Sequence, residues 1–356
     1  MSDNRPGEPA GDDVSYEPWP LAMQPERGEA PIRAELAGTA EIIPAEQVQL
    51  ADEAPRYRRR RVRLPVILFL LTAFSTWLAG TMGFMPWSYF DDAGKLGSLL
   101  PVRRAIIAHW DSGLIYMACV MSFLLAHEMG HFVFTLIYRV PASLPYFLPL
   151  PTITGTAGAV IAMDGRGANR PQIFDIGIAG PLAGLAVILP IVWIGIVQLD
   201  FSQPRSGGWA MYTPLAVQWA VEAVHPGKFP ADGLIYYSQA NPWFVAGWFG
   251  LLMTALNMFP VGQLDGGHIT YTLWGRGAHW FARGLMVFVF AYIVFTADVT
   301  GILMAVLVML IGTDHPPTAD DRAPLGWFRT ILGHASLIIP VVCFPPGIIY
   351  LPGMGQ

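Results

Sequence analysis

Apolar segments long enough to cross a lipid bilayer are the feature that most restricts the fold of this chain. A membrane-spanning helix needs about 20 mostly apolar residues, and residues 64–84 contain no charged side chain. Charged residues make up 13% of the whole sequence, about half the share found in soluble proteins. The pattern predicts an all-α polytopic membrane protein, in which each helix satisfies its own backbone hydrogen bonds.

Seven spans are predicted from the apolar segments. The polar residues Thr296, Asp298 and Thr300 divide the long apolar stretch that begins at Trp280 into two helices. The predicted spans are residues 64–84, 113–138, 173–199, 242–259, 280–296, 298–312 and 327–344. They belong to a predicted membrane-embedded domain of residues 56–346, which is followed by a short outside tail, residues 347–356.

The arginine run RYRRRRVR, residues 56–63, orients these spans, because such clusters remain on the cytoplasmic side. The loops then predicted to be inside carry 13 Arg and Lys residues, and the outside loops carry five. Residues 1–55 hold eight of the ten glutamates and show little hydrophobic periodicity. They are expected to form a disordered, acidic cytoplasmic tail. This composition favours a prokaryotic inner membrane over a plastid membrane.

The segment LLAHEMGHFVF, residues 124–134, places ionisable groups inside the second predicted span. Such groups are costly in a membrane and by default mark a functional site. His127 and His131 are four residues apart and share one helix face. The H-E-x-x-H pattern is typical of zinc sites in which two histidines bind the metal and the glutamate, here Glu128, is the general base that takes a proton from a zinc-bound water. The alternative is that helix–helix hydrogen bonds satisfy the histidines.

A second polar motif, NMFPVGQLDGGH, occupies residues 257–268. A catalytic zinc site needs a third protein ligand and one open position. Asp265 is predicted to lie at the cytoplasmic end of the fourth span, at a depth similar to that of the two histidines. It is therefore the candidate third ligand, and the alternative is a helix-end carboxylate paired with an arginine.

The H-E-x-x-H motif, followed in a later helix by N-x-x-P-x-x-x-L-D-G-G, resembles the site-2 protease family of intramembrane zinc metalloproteases. LPYFLPLPTITGTAGAVIAM and FDIGIAGPLAG are similar to the segments between the two metal motifs in that family. The closest branch is that of the plastid-type proteases and their prokaryotic relatives, which often have arginine where this chain has His268. The resemblance covers residues 113–267 well and the tail not at all. It implies one Zn²⁺ per chain, held by His127, His131 and Asp265, with Glu128 as catalytic base.

Residues 141–162 are too rich in proline for a helix and too apolar for an exposed loop. They predict a re-entrant β-hairpin beside the zinc, and an extended substrate could add to its edge through main-chain hydrogen bonds. Gly155, Thr156 and Gly158 are its candidate substrate-binding residues, and the alternative is a purely structural loop. Asn257 is expected either to contact the substrate or a developing oxyanion, or to pack between helices.

Several further polar residues have open roles. Asp175 is a candidate helix cap, interfacial residue or partner of a zinc histidine. His268 is a candidate hydrogen-bond donor to a metal ligand. The other histidines, including His279 and His315, lack metal-binding spacing and are expected to be ordinary surface or interfacial residues.

These features together predict an intramembrane zinc endopeptidase that cleaves membrane-anchored proteins in or next to a transmembrane helix, near the cytoplasmic side. A non-proteolytic membrane protein of the same fold, binding zinc or client proteins, is the first alternative, and the presence of Glu128 argues against it. A metal transporter is the second, and the scarcity of polar residues in the spans after Gly267 argues against that. The expected partners are transmembrane substrates and the lipid bilayer, with no nucleic acid. The oligomeric state stays open.

Overall fold

The computed structural model describes residues 62–150, 154–206, 208–296 and 312–351, all within one compact unit, Arg59–Gln356. The described helices are α1 (Arg63–Thr81), α2 (Pro86–Leu96), α3 (Leu100–Ile137), α4 (Arg170–Val197), α5 (Leu215–Val224), α6 (Pro242–Asn257), α7 (Asp265–Trp274), α8 (Gly277–Thr296), α9 (Trp327–Ser336) and α10 (Ile339–Cys343). The described strands are β1 (Tyr146–Pro149), β2 (Thr156–Val160), β3 (Ala210–Tyr212), β4 (Leu234–Tyr236) and β5 (Ile349–Tyr350).

Four of the described helices are long and apolar enough to cross a membrane: α1, α3, α4 and α8 up to Phe295. Their outward faces are apolar, as on α1, where Leu70 and Phe74 are 61% and 59% exposed. Lipid contact explains such faces, because soluble proteins rarely expose large apolar patches. The chain is a mostly helical membrane protein, but the count of seven spans is not confirmed. The predicted acidic tail and all but residue 312 of the predicted span 298–312 lie outside the described residues.

The second predicted span is part of a much longer helix. α3 has 38 residues and begins at Leu100 instead of residue 113. Its 28 residues 110–137, which follow a kink, are about 42 Å long at 1.5 Å per residue and exceed the apolar thickness of a bilayer. His109 has non-helical backbone angles, φ −133° and ψ 17°, and kinks the helix before its apolar part begins.

Two other predicted spans are shorter than expected. α6 has 16 residues and ends at Asn257, so Asp265 opens the separate helix α7 and does not end the fourth span. The predicted span 327–344 is divided into α9 and α10. Pro340, in the first turn of α10, explains this break, because proline has no N–H to continue the hydrogen-bond ladder of a helix.

The described strands form two small sheets. β1 and β2 are antiparallel, with Phe147 opposite Ala159, and the re-entrant placement of this hairpin stays a prediction. The second sheet has the order β4-β3-β5. Its strand β5 lies within the predicted outside tail, residues 347–356, where Ile349 pairs with Met211. The position of that tail outside the membrane stays a prediction.

Close helix packing positions the elements around the candidate site. A Cβ added to Gly130 on α3 would lie 2.5 Å from the carbonyl oxygen of Ala179 on α4. A Cβ added to Gly247 on α6 would lie 2.5 Å from the Cβ of Val192, also on α4. Small residues at such crossings let the backbones approach and supply van der Waals contact inside a membrane. Helix α4 is therefore packed between α3 and α6.

Candidate metal centre

Two histidines on α3 and the first residue of α7 bring their ligand atoms together. His127 Nε2 lies 3.2 Å from His131 Nε2 and 3.2 Å from Asp265 Oδ2. His131 Nε2 lies 3.3 Å from Asp265 Oδ1. The three residues predicted as zinc ligands therefore form one cluster. Within the described ranges, no second group of three His, Cys, Asp or Glu side chains has this spacing.

The spacing of these atoms fits a zinc ion. Tetrahedral zinc binds histidine nitrogen and carboxylate oxygen at about 2.0–2.2 Å, which separates neighbouring ligand atoms by about 3.3–3.5 Å. His131 Nδ1 donates to the Ile176 carbonyl over 2.7 Å, so its Nε2 presents a lone pair to the cluster. Asp265 Oδ2 is buried and has no hydrogen-bond partner among the described residues. Acceptor atoms packed in this way are stabilised by a cation between them.

Two glycines of α4 make room for the histidine rings. A Cβ added to Gly180 would lie 2.0 Å from His131 Nε2, and one added to Gly184 would lie 3.2 Å from His127 Nδ1. The Ile176 carbonyl that orients His131 belongs to the same helix. α4 therefore determines the positions of both rings, although it supplies no ligand.

Glu128 lies beside the ligand cluster and is only 4% exposed. It lines the same cleft as the three ligands. One residue along a helix turns a side chain by about 100°, so Glu128 does not share the helix face of His127 and His131. Its carboxyl group is therefore not aligned with the two imidazoles as a further ligand, although it lines the cleft beside them.

Asn257, at the end of α6, also reaches the cluster. Its Nδ2 lies 3.2 Å from His127 Nε2, and its side chain lines the cleft. The amide therefore faces the metal position and does not pack only against apolar helices. A donor in this place can bind an oxygen atom held near the ligands.

The cleft that leads to the cluster has a volume of about 190 Å³. One wall consists of the consecutive residues Ala159, Val160 and Ile161. Successive side chains of a strand point to opposite faces, so a wall of three consecutive residues indicates that the cleft follows the edge of β2. The other edge of β2 pairs with β1, and no described strand pairs with the edge at the cleft.

The three predicted substrate-binding residues of the hairpin do not line this cleft. Thr156 is buried, and its Oγ1 donates to the Leu148 carbonyl over 3.0 Å. Gly155 has φ +76°, and a Cβ there would lie 2.5 Å from the Cα of Thr76 on α1. A Cβ on Gly158 would meet Met253 on α6 at 2.9 Å. These residues pack the hairpin against its neighbours, and their role in substrate binding stays a prediction. The cleft is lined instead by Ala159 and Val160 at the end of β2 and by Ile161 directly after it.

Asp175 takes the interfacial role among its predicted alternatives. It accepts hydrogen bonds from Arg329 Nε and Nη2, on α9, over 2.7 and 2.8 Å. It also accepts one from the Tyr138 hydroxyl over 2.5 Å. The bond to Asp175 is the main reason that the pKa of Arg329 lies above its ordinary value. Among the described contacts, Asp175 does not touch His127 or His131, so it ties α9 to α4 and orients no ligand.

His268 lines the cleft one turn after Asp265, and its Nδ1 lies 2.6 Å from Nε2 of His315. It makes no hydrogen bond to a metal ligand in the part of the chain that the structure describes. His315 is only 7% exposed, so the expectation of an ordinary surface or interfacial residue is wrong. Burial lowers the pKa of His268 to about 3 and also lowers the pKa of His315. The two residues are far apart in sequence, and no periodic pattern indicated their contact.

Comparison with known proteins adds evidence from sequence. The model of peptidase family M50 matches residues 115–297, a range that contains the ligand cluster, Glu128 and Asn257. A protein described as probable zinc metalloprotease EGY1, chloroplastic, from Oryza sativa subsp. japonica is 28% identical over 291 residues, which cover 78% of this chain and 48% of that protein. EGY1 of Arabidopsis thaliana is 28% identical over 301 residues, covering 79% and 53%. EGY3 of Oryza sativa subsp. indica is 25% identical over 341 residues, covering 86% and 52%.

The chain spans about half the length of these curated relatives. All three are described as probable zinc metalloproteases and as chloroplastic. The expectation of a prokaryotic inner membrane therefore receives no support from them. The metalloprotease description agrees with the donor set of the cluster.

Proposed function

The chain belongs to peptidase family M50, the site-2 protease family, and we propose that it is an intramembrane zinc endopeptidase acting on membrane-anchored proteins. The observation that carries the proposal is the convergence of His127, His131 and Asp265 beside the buried Glu128. Two of the ligands and the glutamate lie on α3, which is long and apolar enough to cross a membrane. One Zn²⁺ per chain is proposed, because the described residues hold one such cluster.

The residues of the site divide the chemistry between them. A zinc ion held by the cluster supplies Lewis acidity, which lowers the pKa of water and polarises a carbonyl group. Glu128 takes the proton of the attacking water and passes it to the leaving amine. Asn257 donates its amide hydrogen to the carbonyl oxygen as negative charge develops there. The burial of Glu128 keeps this proton transfer apart from bulk water.

The free edge of β2 is the proposed docking position for the substrate. A peptide bond inside a helix has its N–H and C=O groups bonded within that helix, so the substrate must unwind before it is attacked. The unwound, extended segment can then pair with the edge of β2 through main-chain hydrogen bonds. The proposed cut lies near the cytoplasmic side, because the arginine run at residues 56–63 orients α3 with its histidines towards that side.

A paired measurement of zinc content and cleavage tests this function. The parent protein, Glu128→Gln and Asp265→Ala are each reconstituted into vesicles with a model transmembrane substrate. Glu128→Gln is expected to retain zinc and lose cleavage, while Asp265→Ala loses both. Equal product from all three proteins would show that another site is responsible. A parent protein that holds zinc but cleaves nothing across a substrate panel would support a non-proteolytic zinc- or client-binding protein.

A further inference from the structure

The hydrogen bonds around His315 determine which nitrogen of His268 carries a proton. His315 Nδ1 lies 2.5 Å from the Pro316 carbonyl oxygen, and a carbonyl only accepts, so this nitrogen carries a hydrogen. In a neutral ring, His315 Nε2 is then an acceptor. His268 Nδ1, 2.6 Å away, must therefore be the donor. The remaining nitrogen, His268 Nε2, has a free lone pair.

His315 is held rigidly in this orientation. Its ring stacks on Tyr271 with the centroids 4.4 Å apart and an angle of 16° between the planes. Its backbone N–H donates to His279 Nε2 over 3.3 Å. The Tyr271 hydroxyl in turn donates to Asp321 Oδ2 over 2.9 Å. The segment after residue 312 is thus fastened to α7 through side chains that surround His315.

His268 and the free edge of β2 line the same cleft. Ala159, Val160 and Ile161 line it from the hairpin, whereas Gln263 and Leu264 line it from the segment before α7 and His268 from the first turn of α7. An extended peptide in this space directs its N–H groups alternately to both sides. The β2 edge can pair with the groups on one side. On the other side, a buried N–H without a partner destabilises the complex by about 1–3 kcal/mol.

We propose that His268 is a substrate-binding residue whose Nε2 accepts a backbone N–H of the extended substrate, opposite β2, and that His315 is the positioning residue that keeps Nε2 unprotonated. This inference rests on the proposed protease function. It explains why a histidine pair, with His268 half-buried and His315 buried, connects the helix that begins at Asp265 to a distant segment. It also supplies the substrate with a hydrogen-bond partner on the side that the hairpin does not reach.

Substrate binding to an inactive protein tests the proposal without relying on turnover. The background is Glu128→Gln, and the ligand is a synthetic transmembrane peptide whose cut site in the parent protein has been mapped by mass spectrometry. A series of peptides carries one backbone ester each, near the cut, so that one N–H at a time is replaced by oxygen. His268→Asn keeps an N–H donor near His315 but removes Nε2, the proposed acceptor of the substrate N–H. His334→Asn, at an exposed histidine on α9, is the matched control.

His268→Asn is expected to weaken peptide binding roughly 10- to 100-fold, with unchanged zinc content. At one position, the ester peptide should bind Glu128→Gln more weakly than the all-amide peptide does, by a similar factor. In the protein that also carries His268→Asn, the same ester should have little further effect. Such non-additivity is the coupling expected of a direct contact. His315→Ala should reduce the effect of that ester, and His315→Gln, whose amide oxygen can accept from His268, should restore it. His334→Asn should bind the peptides as the background does.

Unchanged peptide binding in His268→Asn would overturn the assignment. So would a series in which every ester weakens binding to His268→Asn as much as it weakens binding to the background. The failure of the protease function is a separate result. It would appear as equal cleavage by the parent protein and Glu128→Gln. If those two proteins differ as expected and His268→Asn binds normally, only the role of His268 falls.

Discussion

Substitution of Gly180 by alanine tests how α4 controls the metal centre. The new Cβ would lie 2.0 Å from His131 Nε2, 2.4 Å from Cε1 and 2.5 Å from Cδ2. Ordinary contact begins near 3.4 Å, so either the ring or the helix must move by about 1.4 Å. Metal–ligand distances are kept within about 0.2 Å. The displaced ring therefore leaves the ligand cluster.

The expected magnitude follows from what is lost. Disturbing the partners that orient a ligand already weakens metal binding by about 10- to 100-fold. Displacing the ligand should cost at least about 100-fold, or about 2.8 kcal/mol at 25 °C. Helix propensity acts in the opposite direction, since alanine stabilises a helix interior by about 1 kcal/mol relative to glycine. Zinc affinity should therefore fall much more than the stability of the metal-free protein.

Competition with a zinc-chelating dye in detergent measures the affinity, and circular dichroism follows thermal unfolding of the same samples. Gly284→Ala on α8 is the matched control, because a Cβ there would meet nothing within 4 Å. It should bind zinc as the parent protein does. A Gly180→Ala protein that binds zinc within about threefold of the parent affinity, less than 1 kcal/mol, would refute the account of α4.

Three further substitutions probe other parts of the site. Gly155→Ala should abolish cleavage while zinc affinity stays near that of the parent protein. The φ of +76° and the contact of the new Cβ with Thr76 force the hairpin away from α1. The dye competition measures the zinc affinity, and the vesicle assay measures the cleavage. Asp175→Asn should destabilise the protein by about 1–3 kcal/mol, because Arg329 loses its carboxylate partner, and the midpoint of thermal unfolding should fall while zinc stoichiometry is kept. Asn257→Ala should lower kcat by about 100-fold or more with little change in KM, as measured by steady-state cleavage; an effect confined to KM would contradict its role at the carbonyl oxygen.

The pairing of the two histidines was predictable because its geometry is local. Residues four apart on a helix share a face, so His127 and His131 could be paired from sequence, and a third ligand had to come from another polar motif. The length of the apolar segments likewise located both ends of α1 and of α4 to within a few residues. The start of α4 has its own signal, since the Asn169 and Gln172 side chains bond reciprocally to each other's backbone N–H, as in a capping box.

The remaining features depend on contacts between distant segments. The length of α3 was missed because residues 100–112 form helix outside the apolar stretch that indicated the span. The cleft wall at residues 159–161 depends on where the hairpin docks against α1. His315 was missed because its burial against Tyr271 and His268 is purely tertiary. Neither its spacing nor its neighbours distinguish it from a surface histidine.

The most direct test of the central claim is a titration of the metal-free protein with zinc, in which bound metal and cleavage of the model substrate are measured on the same sample. A catalytic zinc held by His127, His131 and Asp265 predicts that cleavage rises in proportion to bound zinc and reaches its maximum at one ion per chain. It also predicts that Asp265→Ala shows neither tight binding nor cleavage. Full cleavage by the metal-free parent protein, or cleavage by Asp265→Ala at the parent rate, would contradict the claim that this cluster is the catalytic centre.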